Sequence, residues 1–189
     1  MIKRNTGINK KKEPLYIFLH VMKTGGTTIR EHIVENFRKE EYLFLYLNKY
    51  PFLREKKDIK HYISSLTKKR RDKLKIIFGH RSYYGLHELF PDREVRYIAF
   101  LRNPIDRIIS HYNFQRENLN KKVNLKRSRE VILINGKILP FGRRWFKQNE
   151  VFSENYMTKF FFFYPTHRSK GKIIDDSILK KVKKTLNKL

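Results

Sequence analysis

Leu15-Tyr16-Ile17-Phe18-Leu19-His20-Val21-Met22-Lys23-Thr24-Gly25-Gly26-Thr27-Thr28-Ile29-Arg30 is the stretch that decides the fold. Its first five residues are large and apolar, with the length and β-friendly content of a buried strand. The run stops at His20, and two adjacent glycines follow between threonines. Ile29, Ile33 and Phe37 then recur at helical spacing, with Glu31 expected in the first turn. The order is strand, glycine loop, helix. Adjacent glycines let the backbone bend with no Cβ in the way, so successive N–H groups can point into one concavity at a helix N-terminus. Such a concavity suits a phosphate or a sulfate, and Lys23 and three threonine hydroxyls stand beside it.

The same order recurs downstream. Residues 41–47 (EYLFLYL) read as a second strand, and Pro51 punctuates the loop after it. Residues 58–66 carry Ile59, Tyr62, Ile63 and Leu66 at helical spacing, with Asp58 as the expected cap. Lys68-Lys69-Arg70-Arg71 reads as an exposed helix end or connection. Residues 75–79 (KIIFG) form a third strand that ends at Gly79-His80 and a tyrosine-containing loop. Residues 96–101 (RYIAFL) form a fourth, running into Arg102-Asn103-Pro104. Asn103 can cap the next helix, Pro104 fits its first turn, and Ile105, Ile108, Ile109 and Tyr112 are its expected buried stripe.

Strands alternating with helices imply parallel pairing with right-handed crossovers, which gathers the carboxyl ends of the strands at one edge. Lys23, His80 and Arg102 each lie just beyond such an end, so the pattern predicts that they converge. Asn135-Gly136 reads as a turn, and residues 143–164 are expected to include a helix ended by Pro165. Residues 175–189 read as an amphipathic helix with Leu179, Val182, Leu186 and Leu189 opposite a row of lysines. The expected fold class is α/β: one domain, residues 14–189, with a central parallel sheet flanked by helices, preceded by a flexible basic arm, residues 1–13.

Composition narrows the function. A chain of 189 residues suits one domain with a proper core. Lysine and arginine number 44 against 18 acidic residues, a net charge of +26, while 40% hydrophobic content with 15 Phe and 11 Tyr excludes wholesale disorder. Such a charge draws anions and polyanions. Cysteine is absent, which excludes disulfides, thiolate metal sites and a cysteine nucleophile. The basic N-terminus and the apolar run after it lack a small-residue cleavage site, and no stretch reaches the roughly 20 apolar residues of a membrane span. The expected location is cytoplasmic.

Lys23-Thr24-Gly25-Gly26-Thr27-Thr28 departs from a Walker A loop, whose lysine follows the last glycine. It resembles instead the 5′-phosphosulfate loop of sulfotransferases that use 3′-phosphoadenosine 5′-phosphosulfate (PAPS), above all the carbohydrate branch with its His-x-x-Lys-Thr-Gly-Gly-Thr pattern. Met22 stands where that branch commonly has proline. Residues 102–112 (RNPIDRIISHY) resemble the 3′-phosphate segment of the same enzymes, Arg-x-Pro-x-x-Arg followed three residues later by serine. An arginine at a strand end offers a planar fork to a phosphate, and Ser110, two turns into the helix, can donate a hydroxyl to the same group. The two motifs stand in the family order about 80 residues apart.

Phe78-Gly79-His80 followed by Tyr84-Gly85-Leu86-His87-Glu88 resembles the Gly-His segment of heparan sulfate 2-O-sulfotransferases, where that histidine is the proposed general base. Asn155-Tyr156-Met157-Thr158-Lys159 resembles a further segment of the branch. The likeness covers about residues 15–165, and Arg168-Ser169-Lys170-Gly171 only faintly resembles the Arg-Lys-Gly segment of cytosolic sulfotransferases. Family members usually continue further, so the domain is expected to be C-terminally short.

The resemblance implies a sulfotransferase fold with a P-loop-like strand-loop-helix, and transfer of a sulfuryl group from PAPS to a hydroxyl, that of a carbohydrate. It implies His80 as base and Lys23 as the cation opposite the leaving group. Lys23, Thr24, Gly25, Gly26, Thr27 and Thr28 would hold the 5′-phosphosulfate, and Arg102 with Ser110 the 3′-phosphate. No metal is expected, and the partner is a hydroxyl-bearing acceptor, anionic or not, rather than a specific nucleic acid. Arg107 reads as a structural residue, and His20, which ends the first strand, as the reserve candidate near the site. Two other readings compete: a basic polyanion-binding or degenerate, non-catalytic relative, and a P-loop-like kinase. The kinase reading lacks both the Walker A order and an acidic magnesium ligand beside the loop.

Overall fold

The computed structural model describes residues 13–46, 48–120, 133–134, 137–138, 140–148, 155–162 and 174–187. Four strands form one sheet: β1 (Leu15–Leu19), β2 (Tyr42–Phe44), β3 (Ile76–Gly79) and β4 (Val95–Ala99). Their order is β2-β3-β1-β4, and every neighbouring pair is parallel. Parallel neighbours need crossover connections. Helix α1 (Gly26–Asn36) links β1 to β2, and α2 (Lys56–Ser65) with α3 (Lys68–Lys73) links β2 to β3. The chain leaves β1 toward β2 and later returns past it from β3 to β4. This reversal opens a crevice beyond the carboxyl ends of β1 and β4.

Alternation along β1 divides the core in two. Leu15, Ile17 and Leu19, all at 0% exposure, face a large cluster with Leu45, Ile59, Ile63, Leu74 and Ile77. Phe18 points the other way, into a smaller cluster with Ile33, Phe44 and Phe78, against which Ile29 and Phe37 pack. Each fully buried leucine or isoleucine contributes about 2 kcal/mol, so this two-sided burial of β1 makes it the anchor of the domain. Arg70 of α3 fastens the far edge by donating to the Glu40, Lys39 and Tyr42 carbonyls.

The expected elements are present with corrections. The second strand is three residues long rather than seven, because the chain turns just beyond it, where the Tyr46 carbonyl accepts from the Lys49 and Tyr50 N–H groups. Glu31 falls in the second turn of α1, since the helix starts at Gly26, and Phe37 caps its end. Helix α2 begins earlier than expected: Glu55 is its cap, and Asp58 closes a capping box by accepting from the Glu55 N–H. The basic run forms α3, capped by Thr67.

The largest correction concerns α4 (Pro104–Asn120). Asn103 does cap it, accepting from the Ile105 and Asp106 N–H groups. The expected apolar stripe is only partly covered: Ile108 and Tyr112 are half-buried, Tyr112 with its ring against Trp145, but Ile105 is 68% exposed and Ile109 42%. The buried face carries Arg107, His111 and Gln115, at helical spacing. Gln115 makes this tolerable. Its Oε1 accepts from Trp145 Nε1–H at 2.9 Å, and its amide nitrogen donates to His111 Nε2 at 3.2 Å. A polar chain thus fixes α5 (Arg143–Gln148) to α4.

Residues 143–164, expected to include a helix, hold two among their described residues, α5 and α6 (Tyr156–Phe162). Helix α7 (Asp176–Leu186) is capped by Asp175 and buries Val182, whereas Leu179 is 46% exposed. A short 3₁₀ helix (Leu86–Leu89) between β3 and β4 and a two-stranded antiparallel pair, β5 (Leu133–Ile134) and β6 (Lys137–Ile138), complete the described elements. The basic arm up to residue 12, the Asn135-Gly136 turn, Pro165, residues 168–171 and Leu189 lie outside the described residues. No helix among the described residues is long and apolar enough to cross a membrane.

Candidate active site

The glycine loop takes its shape from three residues. Lys23 has φ 65° and Gly25 φ 88°, two left-handed turns within three positions, so the chain reverses sharply before α1. Thr24 is buried, and its hydroxyl donates to Val21 O at 2.7 Å. That proton is therefore spent on the loop itself. Gly25 is the cap of α1 and offers no side-chain acceptor, and the first helical bond runs from Ile29 N–H to Gly25 O. The N–H groups of Gly26, Thr27 and Thr28 thus have no acceptor within the helix, and the positive end of the helix dipole lies behind them. Thr27 and Thr28 are exposed there.

Beside this helix start lies a cleft of about 290 Å³ lined by Lys23, Arg102, Asp106, Ile109, Ser110, Asn113, Phe114 and Glu117. Loop and α4 meet here because β1 and β4 are neighbours. The Lys23 ammonium sits 4.3 Å over the Phe114 ring. Burial lowers its pKa from the usual lysine value; Glu117 opposes this shift and Arg102 adds to it. Lys23, Arg102 and Ser110 therefore share one concavity, whereas His80, expected to converge with Lys23 and Arg102, does not line it, and two carboxylates, Asp106 and Glu117, border it as well. Arg107 does not reach it. That side chain is 2% exposed, with its guanidinium 4.8 Å over the Tyr156 ring, in keeping with a structural role.

His80 does not line this cleft. It belongs to a row set by the register of the sheet. Phe78 pairs with Phe18 on one side and Phe44 on the other. Two residues further along each strand direction, on the same face, come His80, His20 and Tyr46. The His20 and His80 rings stack at 4.0 Å between centroids and 24° between planes. His80 Nδ1 lies 3.2 Å from His20 O. A carbonyl only accepts, so Nδ1 carries the proton, and the lone pair of the neutral ring is on Nε2. Burial lowers the His80 pKa to about 4, with Arg81 contributing and the bond to His20 opposing. At neutral pH this imidazole is an uncharged base.

Gly79 places it. Its φ is +146°, and a Cβ there would lie 2.3 Å from Leu45 O, so only glycine lets β3 pass Leu45 and deliver His80 beyond it. The loop that follows is held by a residue with no sequence signal, Tyr97 of β4. Its hydroxyl accepts from the Gly85 and His87 N–H groups, each at 3.0 Å, and lies 2.9 Å from His87 Nδ1. Tyr97→Phe should cost about 1–3 kcal/mol by stranding these donors. A urea midpoint equal to wild type would show the anchor to be idle. The Asn155–Lys159 segment starts α6 and does not line the cleft; Tyr156 and Lys159 are buried.

Fold and site together define an α/β protein with a strand, glycine loop and helix at the carboxyl edge of a parallel sheet. Residues 16–173 match the model of the sulfotransferase domain family. The chain belongs to that family. No curated protein and no solved structure matches it.

Proposed function

We propose that this sulfotransferase-family protein moves a sulfuryl group from PAPS to a hydroxyl of a carbohydrate, with His80 as the base. The observation that carries this reading is the shared cleft of Lys23, Arg102 and Ser110 beside the helix start. The residues fit the donor's chemistry. Unpaired helix N–H groups and an ammonium suit a 5′-phosphosulfate, and a guanidinium with a hydroxyl on α4 suits a 3′-phosphate. Bound there, PAPS supplies the sulfuryl group.

The protein's own residues would do the rest. Gly25, Gly26, Thr27 and Thr28 hold the anion through backbone N–H groups, with the Thr27 and Thr28 hydroxyls beside them. Thr24 contributes through the shape of the loop. Lys23 supplies positive charge where the leaving oxygen gains negative charge. His80 Nε2 takes the proton of the acceptor hydroxyl. The carbohydrate assignment rests on likeness of the loop and the Gly-His segment to the carbohydrate branch, and on a charge of +26, which suits an anionic acceptor.

Calorimetric titration with 3′-phosphoadenosine 5′-phosphate, against ATP as comparator and at two salt concentrations, tests the donor site. Saturable one-to-one binding that exceeds ATP binding and needs no magnesium is the expected result. Arg102→Ala should weaken it by about 10-fold or more, the loss of a charge-assisted bidentate contact. Equal affinity for ATP, or an Arg102→Ala protein that binds like wild type, would reject the assignment.

A further inference from the structure

His20 touches both halves of the candidate site. It is 7% exposed, and its ring fits against the first residue of α1: a Cβ added to Gly26 would lie 1.7 Å from His20 Nε2. On its other side the ring stacks on His80 and, at 4.8 Å and 26°, on Phe78. Its Nδ1 lies 3.2 Å from the Tyr46 hydroxyl, and its own carbonyl accepts from His80. Gly26 is thus glycine because an imidazole occupies the place of its side chain. The requirement is one of packing and is separate from the left-handed turn at Gly25.

We propose that His20 is a positioning residue that couples the anion loop to His80, its ring acting as the spacer between Gly26 and the His80 imidazole. The inference rests on the functional reading above and adds to it a link between donor binding and the state of the base. Packed rings transmit displacement because a close-packed contact has little room to absorb it. An anion drawn onto the Gly26, Thr27 and Thr28 N–H groups pulls on the start of α1. His20 carries that displacement to His80 through the stack and through the carbonyl that fixes the His80 tautomer. Tyr46 holds the opposite corner of the His20 ring, so the imidazole cannot simply rotate away. Lowered basicity keeps the pair compatible: burial, then proximity to His80, brings the His20 pKa to about 3, so the two stacked rings are both neutral at pH 7.

The test follows the imidazole nitrogen and carbon resonances of His80 while 3′-phosphoadenosine 5′-phosphate is added. In wild type the His80 signals should shift saturably with the nucleotide. In His20→Ala the nucleotide should still bind while the His80 response is lost, and His20→Phe, which keeps a flat ring in the stack, should retain it. A His80 response of equal size in His20→Ala overturns the coupling and leaves the donor site standing. Absence of any saturable His80 shift in wild type, with the nucleotide shown by calorimetry to bind, overturns the coupling alone; absence of calorimetric binding overturns the donor site and the coupling with it.

Stability gives a second readout should His20→Ala fold poorly. Gly26→Ala should lower the urea midpoint by forcing the ring out, and the double variant Gly26→Ala/His20→Ala should be no worse than the less stable single variant, because the added methyl enters the vacated space. Additive losses would show that the ring and the glycine do not share that space, and would overturn the proposal.

Discussion

His80→Ala should reduce sulfuryl transfer by at least about 100-fold, the low end of what a positioned base contributes, while affinity for 3′-phosphoadenosine 5′-phosphate stays near the wild-type value. The separation is expected because Lys23, Arg102 and Ser110 line the cleft and His80 does not. Its tautomer is set from behind, by the His20 carbonyl, so Nε2 is the atom left to take a proton. The pH profile offers a second check. With a pKa near 4 rather than 6.5, His80 is already unprotonated below neutrality, so turnover should show no acid limb near pH 6.5. Wild-type turnover in the variant would remove His80 as the base. An acid limb at pH 6.5 would show that the imidazole is less buried than its stack implies.

Acid should unfold the protein, and buried histidines should be the cause. His20 has its pKa lowered to about 3, and His80 and His111 to about 4, all chiefly by burial, from an ordinary 6.5. Between pH 6.5 and about 4 the unfolded chain binds protons that the folded chain refuses, so stability falls as pH falls through that window. Each such group removes up to about 1.4 kcal/mol per pH unit, and three together up to about 4. Against a total stability of about 5–15 kcal/mol, a drop of two pH units is enough to matter. Urea titrations at pH 7, 6 and 5 should show falling midpoints, and the fall should be shallower in His111→Gln than in wild type. A constant midpoint would mean that these imidazoles are not buried as neutral rings.

The strand, loop and helix at residues 15–36 were legible because their signals are local: a run of apolar residues, adjacent glycines, a helical period. Parallel topology followed from alternation, and with it the approach of Lys23 and Arg102 at one edge, while His80, expected to join them, lies outside their cleft. The α4 face was misread for an equally physical reason. Apolar periodicity marks a stripe but does not say what covers it, and here Gln115, His111 and Trp145 satisfy one another inside, which leaves Ile105 and Ile109 outside.

The His20–His80 pair was half legible. Phe18-Leu19-His20 and Phe78-Gly79-His80 each place an aromatic and a histidine two apart at a strand end, but only the register of β1 with β3 makes them neighbours. Tyr97 left no trace in the sequence, since its partners are backbone groups of a loop whose course is set by packing. By itself the sequence determined the class of fold, the strand, glycine loop and helix at residues 15–36, and the strand end that carries Arg102 to the same edge, because strand, turn and helix signals act over a few residues. Tertiary structure alone decided which imidazole stacks on which, why Gly26 cannot bear a side chain, and which face of α4 is inside. Those outcomes depend on contacts between residues that the chain holds far apart.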